Sequence, residues 1–267
     1  MFNDYYGLTF NPFDKDYTDR DPFPSRDYEA VMSRLTYLSK VRGIGVITAS
    51  SGMGKSYALR SFHNGLNPNL YRIGYICLST VNVTEFYKAF CGILGVSDKG
   101  GKPGRFKAIQ DQIYDLYSEK RRPLILEIDE AQYLNTSILR DLKLLMNFGC
   151  DSLNCFTIIL CGEPYLNDTL NKPVHEALRQ RITVHYNFGG LTDEEVPAYI
   201  LHKIRKAGGA ESIIDPAALA SVHGYAGRNP RTIDHIMSDA IMIGSQQQRK
   251  TIDTEIILAA VNNQQLG

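Results

Sequence analysis

A lysine and a hydroxyl residue at the start of a helix, behind a glycine-rich turn, can hold phosphates, and "VITASSGMGKSYAL" from Val46 to Leu59 has that form. Gly54, Lys55 and Ser56 fit the end of the pattern G-x-x-x-x-G-K-[ST], while Ala49 stands at its first glycine. In such a loop the backbone N–H groups, here running from Ser51 through Gly52, Met53 and Gly54 toward Tyr57, face the phosphates with the positive end of the helix behind them. Lys55 would then reach the β and γ groups, and the Ser56 hydroxyl would hold Mg²⁺. Alanine is tolerable at the first position wherever φ stays negative. The plain alternative is a glycine turn ahead of an ordinary helix.

A second signal is "LILEIDEA", an apolar run ending in Asp129 and Glu130. One carboxylate at such a place can hold Mg²⁺ through water and the next can polarise an attacking water. The alternative here is a helix N-cap. The two signals fall on separate runs about 70 residues apart and in the order a nucleotide site needs, which favours one joint site. Arginines supply a third and a fourth. "EALRQRI" places Arg179 and Arg181 at a helix end, where an arginine can offset charge at a neighbouring subunit's γ-phosphate or simply complement the helix dipole. "GRNPRTI" places Arg231 at the opening of a later helix, with Arg228 as its competitor for a phosphate-sensing role.

Stepwise along the chain, the elements that must position these residues are apolar runs separated by helical ones. "GVITAS", "YRIGYICLS", "PLILEID" and "FTIILCG" read as strands, "RITVHYNF" as a fifth, with helices such as "TEFYKAFCGIL" and "RFKAIQDQIYDLYSEK" between them. That alternation predicts an α/β fold: a parallel sheet sandwiched by helices, with ligands beyond the carboxyl ends of the strands. Ser25 is a candidate N-cap for a helix ending near Gly43. Residues 1–24, rich in aromatics and proline, read as an extended arm, residues 25–190 as the nucleotide-binding core, and residues 191–267 as a small all-helical lid.

Composition narrows the class. Lys plus Arg and Asp plus Glu each total 29, so no global field draws the chain to nucleic acid, and DNA binding would need a local patch. No signal peptide or apolar span is apparent, which predicts a cytoplasmic protein with no membrane contact. Five cysteines without a C-x-x-C pair suit reduced thiols, and six histidines show no metal spacing.

With these residues in view the chain resembles the AAA+ ATPases, and among them the family of ExeA, TnsC and the Mu phage target-selection ATPase. "YYGLTFNPF" resembles the family's opening Y-Y-G-L-x-x-x-P-F, "ASSGMGKS" its Walker A, "LILEIDEAQYL" its Walker B, "IILCGEPYL" its sensor-one strand, "LRQRI" its arginine-finger segment and "GRNPRTI" its sensor two. The resemblance implies ATP and Mg²⁺ as cofactors, Asp129 on Mg²⁺, Glu130 on water, Glu163 at or near sensor one, Arg181 as the preferred finger and Arg231 as sensor two. Glu163 departs from the uncharged polar residue common in the family.

ExeA-type members continue into a membrane span and a periplasmic part, whereas this sequence ends at Gly267 without either, so the likeness points toward the transposition regulators. These assemble on duplex DNA as rings or helical filaments and recruit a DDE-type transposase. The expected DNA contacts are Ser79, Thr80, Thr84, Lys99, Lys102, Arg105 and Lys107, around glycines and with no acidic neighbour in sequence after Asp98. The alternatives are a secretion-assembly ATPase of the ExeA type and a replication helicase loader.

Overall fold

The computed structural model describes residues 2–14, 21–77, 82–150 and 152–264 of the chain. The five apolar runs are strands: β1 (Gly43–Thr48), β2 (Arg72–Cys77), β3 (Leu124–Asp129), β4 (Thr157–Gly162) and β5 (Ile182–Asn187). They form one parallel sheet in the order β2-β3-β4-β1-β5. Every residue of β1, β3 and β4 is buried, as a sheet covered on both faces requires. The α/β class expected from the alternating runs is thus the observed one.

Along the chain the helices are α1 (Phe2–Tyr5), α2 (Arg26–Val41), α3 (Lys55–Gly65), α4 (Val83–Leu94), α5 (Gly101–Ser118), α6 (Thr136–Leu145), α7 (Tyr165–Asn171) and α8 (Glu176–Arg179). After the sheet come α9 (Glu195–Lys206), α10 (Pro216–Ala226), α11 (Pro230–Gln246) and α12 (Thr254–Gln264). None of them is long and apolar enough to cross a membrane.

Local chemistry sets the helix starts. Ser25 Oγ accepts from the Tyr28 amide at 3.3 Å, and Asn82 and Glu85 close a capping box at the start of α4. Asp215 and Asn229 cap α10 and α11 from in front of a proline at the first helical position, where a missing N–H costs nothing.

The residues fall into two compact units. The larger, Ala30–Ser51 with Lys55–Phe188, contains the sheet. Its core includes Ile44, Val46, Leu126, Ile128, Ile158 and Leu160 with Phe86, Phe90, Ile109 and Leu139 from the helices. The second is Met1–Glu29, Gly52–Gly54 and Gly189–Gly267, so the amino-terminal arm and the middle of the glycine-rich loop group with the last four helices. Tyr6, Leu8 and Phe13 of the arm are buried in that unit's own core among Ile200, Ile204, Met237 and Ile241. Thr9 ties the arm down with bonds from its N–H and hydroxyl to the Ala207 carbonyl.

Two boundaries differ from expectation. β1 begins at Gly43, two residues before the expected start, because Gly43 and Gly45 are sites of close approach: a Cβ there would strike Thr183 and Leu38. The second difference is α5, which starts at Gly101 and not at Arg105, so Lys102 joins Arg105 and Lys107 on the helix. Pro103 fits because it sits in the first turn, where its N–H is not needed.

β3 carries an ionisable residue inside its apolar run. Glu127 is 1% exposed, its Oε2 is 3.1 Å from His63 Nδ1 on α3, and its Oε1 has no partner among the described residues. Burial pushes its carboxyl up to about 7, against the lowering effect of His63. Glu127 therefore binds its proton more tightly in the folded than in the unfolded chain between about pH 4.5 and 7, and its contribution to stability falls as pH rises through that window, by up to about 3 kcal/mol. Thermal unfolding followed from pH 5 to 8 should show the midpoint dropping, and Glu127→Gln should flatten that drop; an unchanged pH slope in the variant would refute the assignment.

Candidate nucleotide site

The carboxyl ends of β1, β3 and β4 bring the expected residues together. Ala49 is buried and bonds through its N–H to the Gly162 carbonyl, so the position that usually holds glycine is part of the packed strand end. Past it the chain turns at Gly52 (φ 85°) and Gly54 (φ 93°), both in the left-handed region that glycine occupies without strain. A Cβ on Gly54 would meet nothing within 4 Å, so the space beside this turn is open. That suits a loop whose backbone is approached closely by a phosphate.

Lys55 and Ser56 open α3, with Tyr57 behind them. Lys55 is 8% exposed, and its Nζ lies 4.0 Å from Glu130 Oε1. Ser56 Oγ donates to Asp129 Oδ2 at 3.1 Å, joining the first turn of α3 to the end of β3. A hydroxyl and a carboxylate in direct contact, beside a lysine and a helix amino terminus, fit a Mg²⁺-nucleotide. Among the described residues there is no cluster of His, Cys, Asp or Glu that would hold a metal unaided.

Asp129 is held on every side. Its Oδ1 accepts from the Glu130 amide at 2.9 Å, and its Oδ2 also accepts from Tyr75 Oη of β2 at 3.2 Å. Burial and then the Asp129 charge push the Tyr75 phenol up, so it remains a donor. The buried Cys161 thiol is raised first by its burial and next by Asp129, so it stays neutral. Neither neighbour adds charge to the site.

Glu130 adopts φ 54°, ψ 36°, a left-handed conformation that costs a non-glycine residue of order 1 kcal/mol. A 3-10 turn, Ala131–Tyr133, follows, and Gln132 Nε2 donates to Glu130 Oε2 at 2.6 Å. Gln132 Oε1 accepts the Glu163 amide at 3.1 Å. Glu163 thus enters the site through its backbone, while Asn167 on α7 is bonded to Thr48, Asn187 and His185 at the ends of β1 and β5. Sequence reasoning missed Tyr75, Gln132 and Asn167. Only Gln132 left a trace, as part of the "DEAQ" run.

Arg179 and Arg181 are placed differently from one another. Arg179 Nη1 donates to the carbonyls of Leu170 at 2.7 Å and Lys172 at 2.9 Å, closing the end of α7. Arg181 immediately precedes β5, and because Ile182 pairs with Ile44 in a parallel register it lies at the amino ends of the strands. Lys55 follows β1 at the opposite, carboxyl ends of the strands. In the second unit, the Arg231 amide donates to the Gly52 carbonyl at 3.3 Å, and a Cβ on Gly52 would overlap Asn229 and Arg231.

Two of the cations expected to contact DNA have partners within the chain. Lys102 Nζ forms an ion pair with Asp141 of α6 at 2.7 Å, an acidic neighbour that the sequence order hides. Arg105 Nε donates to the Asp98 carbonyl at 2.6 Å. Thr84, Lys99 and Lys107 are exposed, and Ser79 and Thr80 lie outside the described residues.

Known proteins fit this geometry. Residues 38–170 match a family model described as an AAA domain. General secretion pathway protein A of Aeromonas hydrophila is 28% identical over 264 residues, which cover 97% of this chain and 48% of that protein. The chain therefore spans about half the length of this curated relative. Among solved structures it is similar to Cdc6p from Pyrobaculum aerophilum, with a TM-score of 0.72 and 18% identity over 96% of this chain and 71% of that one. It also resembles domain III of the Thermotoga maritima replication initiation protein DnaA, with a TM-score of 0.58 and 17% identity over 94% of this chain and 97% of the other. At these identities the likeness establishes the AAA+ fold.

Arg179 serves α7 through two charge-assisted bonds on a half-exposed surface. Arg179→Ala should lower stability by about 1–2 kcal/mol in chemical denaturation; unchanged stability would show that the bonds contribute nothing.

Proposed function

We propose that the chain is a Mg²⁺-dependent ATPase that works as a homo-oligomer. The Ser51–Gly54 backbone and Lys55 bind the β and γ phosphates, Ser56 and Asp129 hold the metal, and Glu130 orients the attacking water. Mg²⁺ supplies charge neutralisation on the phosphates when bound. The observation that carries this reading is the Ser56–Asp129 bond with Glu130 beside Lys55, a hydroxyl, two carboxylates and a lysine gathered at one strand end.

Arg181 is the proposed finger. Its place at the far end of β5 keeps it from its own chain's Lys55, so it acts on a neighbouring copy's nucleotide, in a ring or helical filament. Glu163 serves near the sensor-one position through its strand end, and Arg231 keeps the sensing role that the G-x-P-R likeness gives it.

For the process served, the secretion-pathway relative favours an assembly ATPase of the ExeA type over a transposition regulator. A second reading, assembly on duplex DNA with a DDE-type transposase as partner, draws on exposed Thr84, Lys99 and Lys107. It is weakened by the internal engagement of Lys102 and Arg105.

Steady-state ATPase assays and sizing with ATP test both levels. Glu130→Gln should lower turnover about a hundredfold or more while leaving ATP binding and assembly intact. Lys55→Ala should lose binding, and Arg181→Ala should bind ATP yet turn it over poorly. Wild-type turnover in Glu130→Gln would refute the water-orienting role. Oligomers that form with ATP alone support the assembly reading, whereas oligomers that require duplex DNA at low salt would replace it with the second.

A further inference from the structure

Glu130 has two carboxylate oxygens and the protein addresses each separately. Oε1 faces Lys55 Nζ at 4.0 Å, a contact with the very group that binds phosphate in the proposed ATPase. Oε2 is held by Gln132 Nε2 at 2.6 Å. Residues two apart on a regular helix do not face one another. Here they meet because Glu130 takes the left-handed conformation and a 3-10 turn follows.

The Gln132 amide has a single workable orientation. A carboxylate on one side demands the NH₂ group, and the Glu163 N–H at 3.1 Å on the other demands the carbonyl oxygen. Gln132 is 9% exposed, so water does not compete freely for these partners. Gly162 at the end of β4 makes room for it: a Cβ there would lie 2.7 Å from Gln132 Oε1 and 3.2 Å from the Gln132 nitrogen. The strand end, the glutamine and the carboxylate form a continuous chain of contacts.

We propose that Gln132 is the positioning residue for Glu130: anchored on the Glu163 backbone amide and seated against Gly162, it fixes the carboxylate that orients water. The inference rests on the ATPase reading. Lys55 leaves Glu130 when it engages phosphate, whereas the Gln132 bond does not involve the phosphate-binding groups and holds Oε2 in both situations. Because Gln132 touches neither the phosphate loop nor Asp129 through any of these bonds, its loss should act on turnover and not on nucleotide affinity.

The test uses the full chain, single-turnover ATP hydrolysis and binding of a non-hydrolysable ATP analogue. Gln132→Ala should slow hydrolysis about ten- to a hundredfold while the analogue's Kd stays within about twofold, the split expected for a misplaced catalytic group. Gly162→Ala, which crowds Gln132 from the other side, should give the same split by an independent route. In the Glu130→Gln background, adding Gln132→Ala should leave the residual rate unchanged, since a residue acting through Glu130 has nothing left to position. Unimpaired hydrolysis in both single variants would overturn the inference alone. So would an equal loss in the presence and absence of Glu130, or a parallel loss of analogue binding. No turnover by the unmodified chain would overturn the ATPase reading and this inference with it.

Discussion

The Asp129 carboxylate is where the parts of this site are fastened together. It accepts from Ser56 at the start of α3, from Tyr75 on β2 and from the Glu130 amide at the end of its own strand. Two strands and the helix behind the phosphate loop are thereby joined through one buried side chain. Three donors on one acceptor fix its direction, a property that a metal-holding carboxylate needs. Burial without those donors would instead have raised its cost steeply.

From that point the site's division of labour follows the sheet. A parallel sheet collects the loops with chemical function at the carboxyl ends of its strands, and Lys55, Asp129, Glu130 and Glu163 all stand there. Arg181 stands at the opposite ends, next to Ile182. In the proposed reading an arginine so placed acts on another copy's phosphate, which makes self-association part of the proposed chemistry and not an addition to it.

Much of this was legible in the sequence, for identifiable reasons. The strands were readable because fully buried parallel strands are short apolar runs, and Lys55, Ser56, Asp129 and Glu130 were readable because each sits at a fixed offset from such a run. What was not legible depends on contacts between distant segments. Tyr75 reaches Asp129 across 54 residues, Lys102 reaches Asp141 across 39, and Glu163 reaches Gln132 across 31. Arg179 and Arg181 stand together at a helix end in the sequence, and the bonds from Arg179 to the carbonyls of Leu170 and Lys172 could not be read there. The early start of β1 was hidden because Gly43 and Gly45 suggest a turn, although both serve close packing.

The central claim is that Asp129 and Ser56 form a metal-dependent nucleotide site. Calorimetric titration of the chain with a non-hydrolysable ATP analogue, in Mg²⁺ and in chelator, tests it most directly. The account predicts binding that strengthens with Mg²⁺ in the native chain and an Asp129→Asn variant that has lost that increment. Equal affinity with and without Mg²⁺, or an increment that survives Asp129→Asn, would contradict it.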